Sequence, residues 1–212
     1  LEAFKKLLSL IDGDPAIADE LFLWLDSDSG IDFNYSDQLP SYAPSYLELS
    51  DLSELLLLTT VDRDVLNKIY PYLSALPSDS ALNINTAPVE VIQSIAFYLD
   101  EAIANQALTD RDEVGFSSVT DFLNHEVFKE NEDAGIYLAN LSVTSSWFEL
   151  YTAVTLNEKT LTQRSIVHRD EQGHTTLTLR DRSAKESNPI PGDPIKQNSA
   201  DPESEIEELE NN

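Results

Sequence analysis

The chain of 212 residues contains no cysteine and no methionine, and it has 13 basic residues against 39 acidic ones. Each shortage excludes something. Without cysteine there can be no disulfide and no thiolate metal site. Without methionine, and starting at Leu1, the sequence reads as a processed product or a piece of something longer. The scarcity of Lys and Arg leaves a formal charge of −26. A surface of that sign repels nucleic-acid phosphates and anionic lipid heads and attracts cations. No apolar run approaches the ~20 residues needed to span a bilayer, and no signal peptide is visible. From Leu1 onward the chain is expected to be soluble, with any membrane anchor lying before it.

Catalytic signatures are also missing. There is no Gly-x-Ser-x-Gly, no phosphate-binding P-loop and no His-Glu-x-x-His. His125, His168 and His174 are separated in sequence, and each reads as a surface or strand-filling residue. No enzyme is expected. What the chain does have is enough apolar material, 41% of residues, to bury a core in one large domain or two small ones.

The local patterns fall in a clear order. Pro15 to Leu25 has helical spacing, with Ile17, Ala18, Leu21, Phe22, Trp24 and Leu25 on a broad apolar face and Asp14 placed to cap it. Phe33 to Tyr46 is loop-like and rich in aromatics. Asp51 to Leu58 reads as the start of a second helix, with Ser50 or Asp51 as its cap and Glu54 placed to close a capping box on Asp51. A short helix from about Asp62 to Tyr70 stops before Pro71. The stretch Leu82-Asn83-Ile84-Asn85-Thr86-Ala87-Pro88 turns an extended segment into a helix, with Thr86 as the expected cap. Helical spacing then runs over Val89, Ile92, Ile95, Ala96 and Leu99, and again from Glu101 to Leu108. Ser118 and Asp121 pair ahead of Phe122. Strand signals come last: Leu141 to Leu156, Thr160 to Arg169, and His174 to Arg180 after a turn at Gly173. These read as a three-stranded antiparallel meander. From Ser183 the composition is that of a disordered acidic tail.

Two stretches carry chemistry. Asp26-x-Asp28-x-Gly30-x-Asp32 sets carboxylates at alternate positions directly after a helix. Calcium takes about six to eight oxygen ligands, and side chains at this spacing can wrap one ion. The loop is not an EF-hand, since Ile31 stands where that motif has glycine and no Glu closes it. Carboxylates at the negative end of a helix dipole favour a cation. Asp26, Asp28, Asp32 and the nearby Asp37 are therefore the candidate calcium ligands. The second stretch, Leu82 to Leu123, resembles helix-hairpin-helix modules, which open on a Leu-Asn-x-Asn-Thr-Ala run. DNA-binding members offer a phosphate the N–H groups of a Gly-x-Gly hairpin. Here Phe97-Tyr98-Leu99-Asp100-Glu101 has no glycine and two carboxylates, so the unit is expected to be a scaffold.

Taken in order, Leu23-Trp24-Leu25-Asp26-Ser27-Asp28, Pro44-Ser45-Tyr46, Asp51-Leu52-Ser53-Glu54-Leu55, Leu82 to Ala87, Gly115-Phe116 and Ser145 to Leu150 resemble the general secretion pathway protein K family, the large minor pseudopilin of type II secretion systems. The resemblance runs from about Ile11 to Arg182. It implies an α+β fold: an all-helical domain at residues 1–138, containing the helix-hairpin-helix-like unit at 82–125, followed by antiparallel strands at 139–182 that complete a pseudopilin sheet. The tail at 183–212 lies outside it. It further implies an N-terminal spine helix before Leu1, anchored at the periplasmic face of the inner membrane. Members sit at the pseudopilus tip with minor pseudopilins I and J, help assembly and engage secreted substrates, and bind calcium near the acidic loop. Asp26 and Asp28 match the family's pattern; Asp32 and Asp37 are added on donor chemistry. The rival readings are a helix-hairpin-helix nucleic-acid-binding protein and a calcium-dependent adhesion module.

Overall fold

In the computed structural model, residues 1–129, 135–137, 140–157 and 159–182 are described. The expected tail at 183–212 lies outside the described residues. Helix α1 (Glu2–Leu10) buries Ala3, Leu7 and Leu8 against the body of the molecule. Helix α2 (Ala16–Leu25) follows an Asp14 Oδ1 that accepts from the Ala16 N–H at 2.8 Å, the cap expected from the sequence. Its face differs from expectation. Ile17, Ala18 and Trp24 turn inward together with Glu20, while Phe22 and Leu25 are exposed at 54% and 38%. Positions 17, 20 and 24 form one helical stripe, so an acidic residue takes an inward place and Phe22 and Leu25 lie off that stripe.

A short helix α3 (Phe33–Ser36) precedes a 3-10 turn at Leu52–Leu57. That turn carries the Asp51–Glu54 capping box. Helix α4 (Arg63–Ile69) is capped by Asp62, whose side chain accepts from the Val65 N–H, and it runs into a 3-10 turn at Tyr70–Tyr72.

The Leu82 stretch opens as β1 (Leu82–Asn83) and leads into α5 (Val89–Ser94). Thr86 does not cap α5; its hydroxyl turns back to the Asn83 carbonyl at 3.5 Å, and Pro88 occupies the cap position without a side-chain bond. A turn over Ile95–Leu99 separates α5 from α6 (Glu101–Val114). The expected end at Leu108 falls short of that, because the helix continues until Gly115 stops it at φ +80°. Helices α7 (Val119–Leu123) and α8 (Glu126–Lys129) complete the helical body. Ser118 caps α7 as expected.

The first expected strand is in fact two. Leu141–Ser142 forms β2, parallel to β1 with Leu82 opposite Leu141. After a break at residues 143–146 come β3 (Trp147–Leu156), β4 (Lys159–Arg169) and β5 (Thr175–Asp181), an antiparallel sheet in that order. The buried apolar cluster includes Leu8, Ile17, Trp24, Leu55, Ile69, Ile84, Ile92 and Phe122, and no described residue of β3–β5 belongs to it. The core is helical, and the sheet lies outside it.

Candidate functional site

Asp26 ends α2 in an extended conformation, and its Oδ1 accepts from the Asp28 N–H at 3.0 Å. The Ser29 hydroxyl donates back to the Leu23 carbonyl at 2.8 Å, and Gly30 provides the positive φ that turns the loop. Ile31 is buried beneath it. Asp32 begins α3, and its Oδ1 accepts from the Tyr46 hydroxyl at 2.6 Å. The Tyr46 phenol is held above its usual pKa, first by that bond, then by burial and the charges of Asp32 and Asp26. Asp32 is therefore tied to Tyr46, and the charge of Asp26 also acts on that phenol. Asp28 is exposed, and Asp37 follows the end of α3, also exposed.

These carboxylates are hard oxygen donors of the type calcium takes. Among the described residues, none of Asp26, Asp28, Asp32 and Asp37 forms an ion pair. Also among the described residues, no three His, Asp or Glu side chains are gathered as a ligand cage. The set has the donor chemistry that calcium takes, but among the described residues it is not gathered around one point.

The loop is fixed from behind by a residue the sequence reading passed over. Glu20 is 8% exposed, yet its carboxylate accepts five hydrogen bonds. The Tyr35 hydroxyl donates at 2.7 Å, the Thr59 N–H at 2.8 Å and hydroxyl at 2.7 Å, and the Thr60 N–H at 3.0 Å and hydroxyl at 2.5 Å. Burial pushes this carboxyl up, and the bonds from Thr60, Tyr35 and Thr59 outweigh it, so its pKa lies below the ordinary value. Tyr35 is fully buried, meets Trp24 edge to face at 4.8 Å, and is held by the same carboxylate. Both walls of the acidic loop, α2 and α3, are thus pinned to one buried anion. The signal was readable: a Glu on the stripe between Ile17 and Trp24.

The helix-hairpin-helix-like unit is closed by its own chain. Lys6 of α1 donates to the carbonyls of Ala96 at 2.6 Å, Phe97 at 3.0 Å and Leu99 at 2.7 Å. The α5–α6 hairpin therefore directs carbonyl oxygens to a resident ammonium group, the opposite of a phosphate cradle. Asn85 supports the unit from the other end. Its Oδ1 accepts from the Phe116 N–H at 2.9 Å, and its Nδ2 donates to the Phe116 and Val143 carbonyls at 3.0 and 3.1 Å. The three imidazoles stand apart: His125 against Phe116, His168 on Trp147, and His174 on Asp170.

This geometry defines an α+β protein, with an acidic loop at one place and a sealed helical hairpin at another. Two family models, both described as type II secretion system (T2SS) protein K, match residues 1–78 and 82–144. The chain belongs to the type II secretion system protein K family. The relative from Pseudomonas aeruginosa is 28% identical over 85% of this chain and 56% of its own length. Relatives from Klebsiella pneumoniae and Dickeya chrysanthemi are 28% and 26% identical, covering 82% and 81% of this chain. All three are proteins K of type II secretion systems. The chain spans about half the length of these relatives, 51% to 57%. A chain of the solved GspK–GspI–GspJ complex from enterotoxigenic Escherichia coli superposes with a TM-score of 0.71 at 23% identity. That match covers 87% of this chain and 70% of the other, and the two share the same fold.

Proposed function

We propose that this chain is the helical cap and closing strands of a minor pseudopilin at the tip of a type II secretion pseudopilus. In this reading it acts by contact and not by catalysis. It joins minor pseudopilins of the I and J types, helps the pseudopilus assemble and supports export of secreted proteins from the periplasmic face of the inner membrane. Family membership supports the reading, as does the fold shared with a chain of a solved complex of K, I and J proteins.

The observation that carries it is the outer face of the sheet. Phe148, Leu150, Val154 and Leu156 of β3, Leu161 of β4 and Leu177 of β5 are 37% to 76% exposed. Soluble domains seldom leave that much contiguous apolar sheet uncovered. It suits a long apolar helix lying across the strands, as a pseudopilin spine helix would. The sealed hairpin and the charge of −26 argue against the nucleic-acid alternative.

Mixing the chain with soluble I-type and J-type minor pseudopilins tests the assembly role. One complex containing all three should elute from a sizing column; separate elution of the three would end this reading. The same role includes calcium held by Asp26 and Asp28, with Asp32 and Asp37 as the further donors. Its binding would neutralise the loop and add to folding stability. Calcium should raise the melting temperature above that in chelator, and identical melting curves would remove the metal from the reading.

A further inference from the structure

Among the described residues, no side chain of β3–β5 enters the buried core of the helical body. The chain crosses between them at residues 143–146, where Asn83 Nδ2 donates to Ser145 Oγ at 2.9 Å and Asn85 holds the Val143 carbonyl. Beyond this crossing the two parts face each other across a cleft of ≈ 380 Å³. Leu49, Ala75 and Leu76 line it from the body, and Trp147, Ile166 and Leu179 line it from the sheet. A cleft in place of a close-packed interface is an arrangement in which two parts of a chain can move relative to one another.

An ion pair between the side chains of Arg164 and Asp51 spans the cleft. Arg164, in the middle strand β4, is 12% exposed and donates from Nη1 to Asp51 Oδ2 at 2.7 Å. Its Nε bonds to Glu149 on the neighbouring strand, which aims the guanidinium at the body. Asp51 is itself fixed, because its other oxygen accepts from the Ser53 N–H at 2.9 Å as the cap of the 3-10 turn. The two ends of the ion pair are thus each locked to their own part. Burial alone would weaken both charges, and each is held charged by the other, Asp51 below its usual pKa and Arg164 above.

We propose that the crossing at residues 143–146 is a pivot and that the Arg164–Asp51 ion pair is the latch that fixes the tilt of the sheet against the helical body. With the latch closed, the sheet and its exposed outer face point in one direction. With it open, they swing about the pivot while the helical core stays intact, since that core takes nothing from β3–β5 among the described residues. This proposal concerns the chain itself and does not depend on its partners.

The absence of cysteine allows specific spin labelling. Labels go on the exposed positions Asn105→Cys in α6 and Gln172→Cys in the β4–β5 turn. Pulsed electron–electron resonance then reads the distance between body and sheet. The doubly labelled chain should give one narrow distance distribution. Arg164→Met and Asp51→Asn should each broaden it about twofold, as expected for parts no longer held by an ion pair across a cleft. The circular-dichroism spectrum and the cooperative melt of the helical core should hold. Asn preserves the cap at position 51, so Asp51→Asn decides the matter even where Arg164→Met fails to fold. An unchanged distribution in Asp51→Asn overturns the latch.

Discussion

Glu20 shows how one residue can set the local architecture. A carboxylate at 8% exposure is unfavourable unless it is well bonded, and this one has five donors drawn from α3 and from the segment after the 3-10 turn. In Glu20→Gln the amide NH₂ must face a backbone N–H that cannot accept, that of Thr60 or that of Thr59. Unsatisfied buried donors cost about 1–3 kcal/mol each, so a loss of about 2–4 kcal/mol in urea unfolding is expected. The pH dependence follows from the lowered pKa in the folded state. A depressed folded value means that the stabilisation is fully present above the unfolded value, ordinarily 4.5, and is lost as pH falls through the folded one. The unfolding free energies of wild type and Glu20→Gln should therefore lie well apart at neutral pH and converge in acid. A gap that stays constant down to the acid limit would show that Glu20 is not the titrating anchor.

At the scale of elements, the joint from Leu82 to Ile92 is where reading the sequence was most and least informative. Its existence and its place at the start of a helix were legible, because an extended run followed by Pro88 is a local signal. The caps by Asp14, Asp51 and Glu54, Asp62 and Ser118 were legible for the same reason: each bonds an amide two or three positions away. What Asn85 does was not legible, since its partners Phe116 and Val143 are 31 and 58 residues distant. The same holds for β2 on β1, for Lys6 on the hairpin carbonyls and for Arg164 on Asp51. In the acidic loop, the residue types and spacing were visible, but the bond from Tyr46 to Asp32 needed the fold. Asn85 joins β1, the α6–α7 connection and the end of β2, so Asn85→Ala strips three bonds from one joint. A loss of about 2–3 kcal/mol is expected. Hydrogen exchange should speed up at Phe116, whose N–H loses its acceptor, before the helical core is affected. Uniform exchange across the chain would instead mean that the joint has no local role.

The whole molecule combines a helical core closed on itself with a sheet that is open on one side. Its formal charge of −26 makes copies repel one another, which opposes association through the exposed apolar face. The outer face is therefore the part whose energetics should change most with context. Val154 and Leu161 are direct cross-strand partners there, 59% and 76% exposed. In this chain the double substitution Val154→Thr with Leu161→Thr removes little buried area. Surface changes of this kind stay within about 0.5 kcal/mol, so the melting curve should hardly move. In a chain that also carries a spine helix across the sheet, the same two side chains are buried. Their loss then costs up to about 3–6 kcal/mol, at roughly 1.5–3 kcal/mol for each fully buried aliphatic side chain. The two measurements form a pair, read by thermal or urea unfolding of the short and the extended proteins. A small effect in the first and a large one in the second places the helix on this face. Small effects in both would mean that the helix packs elsewhere and that the apolar face serves another contact.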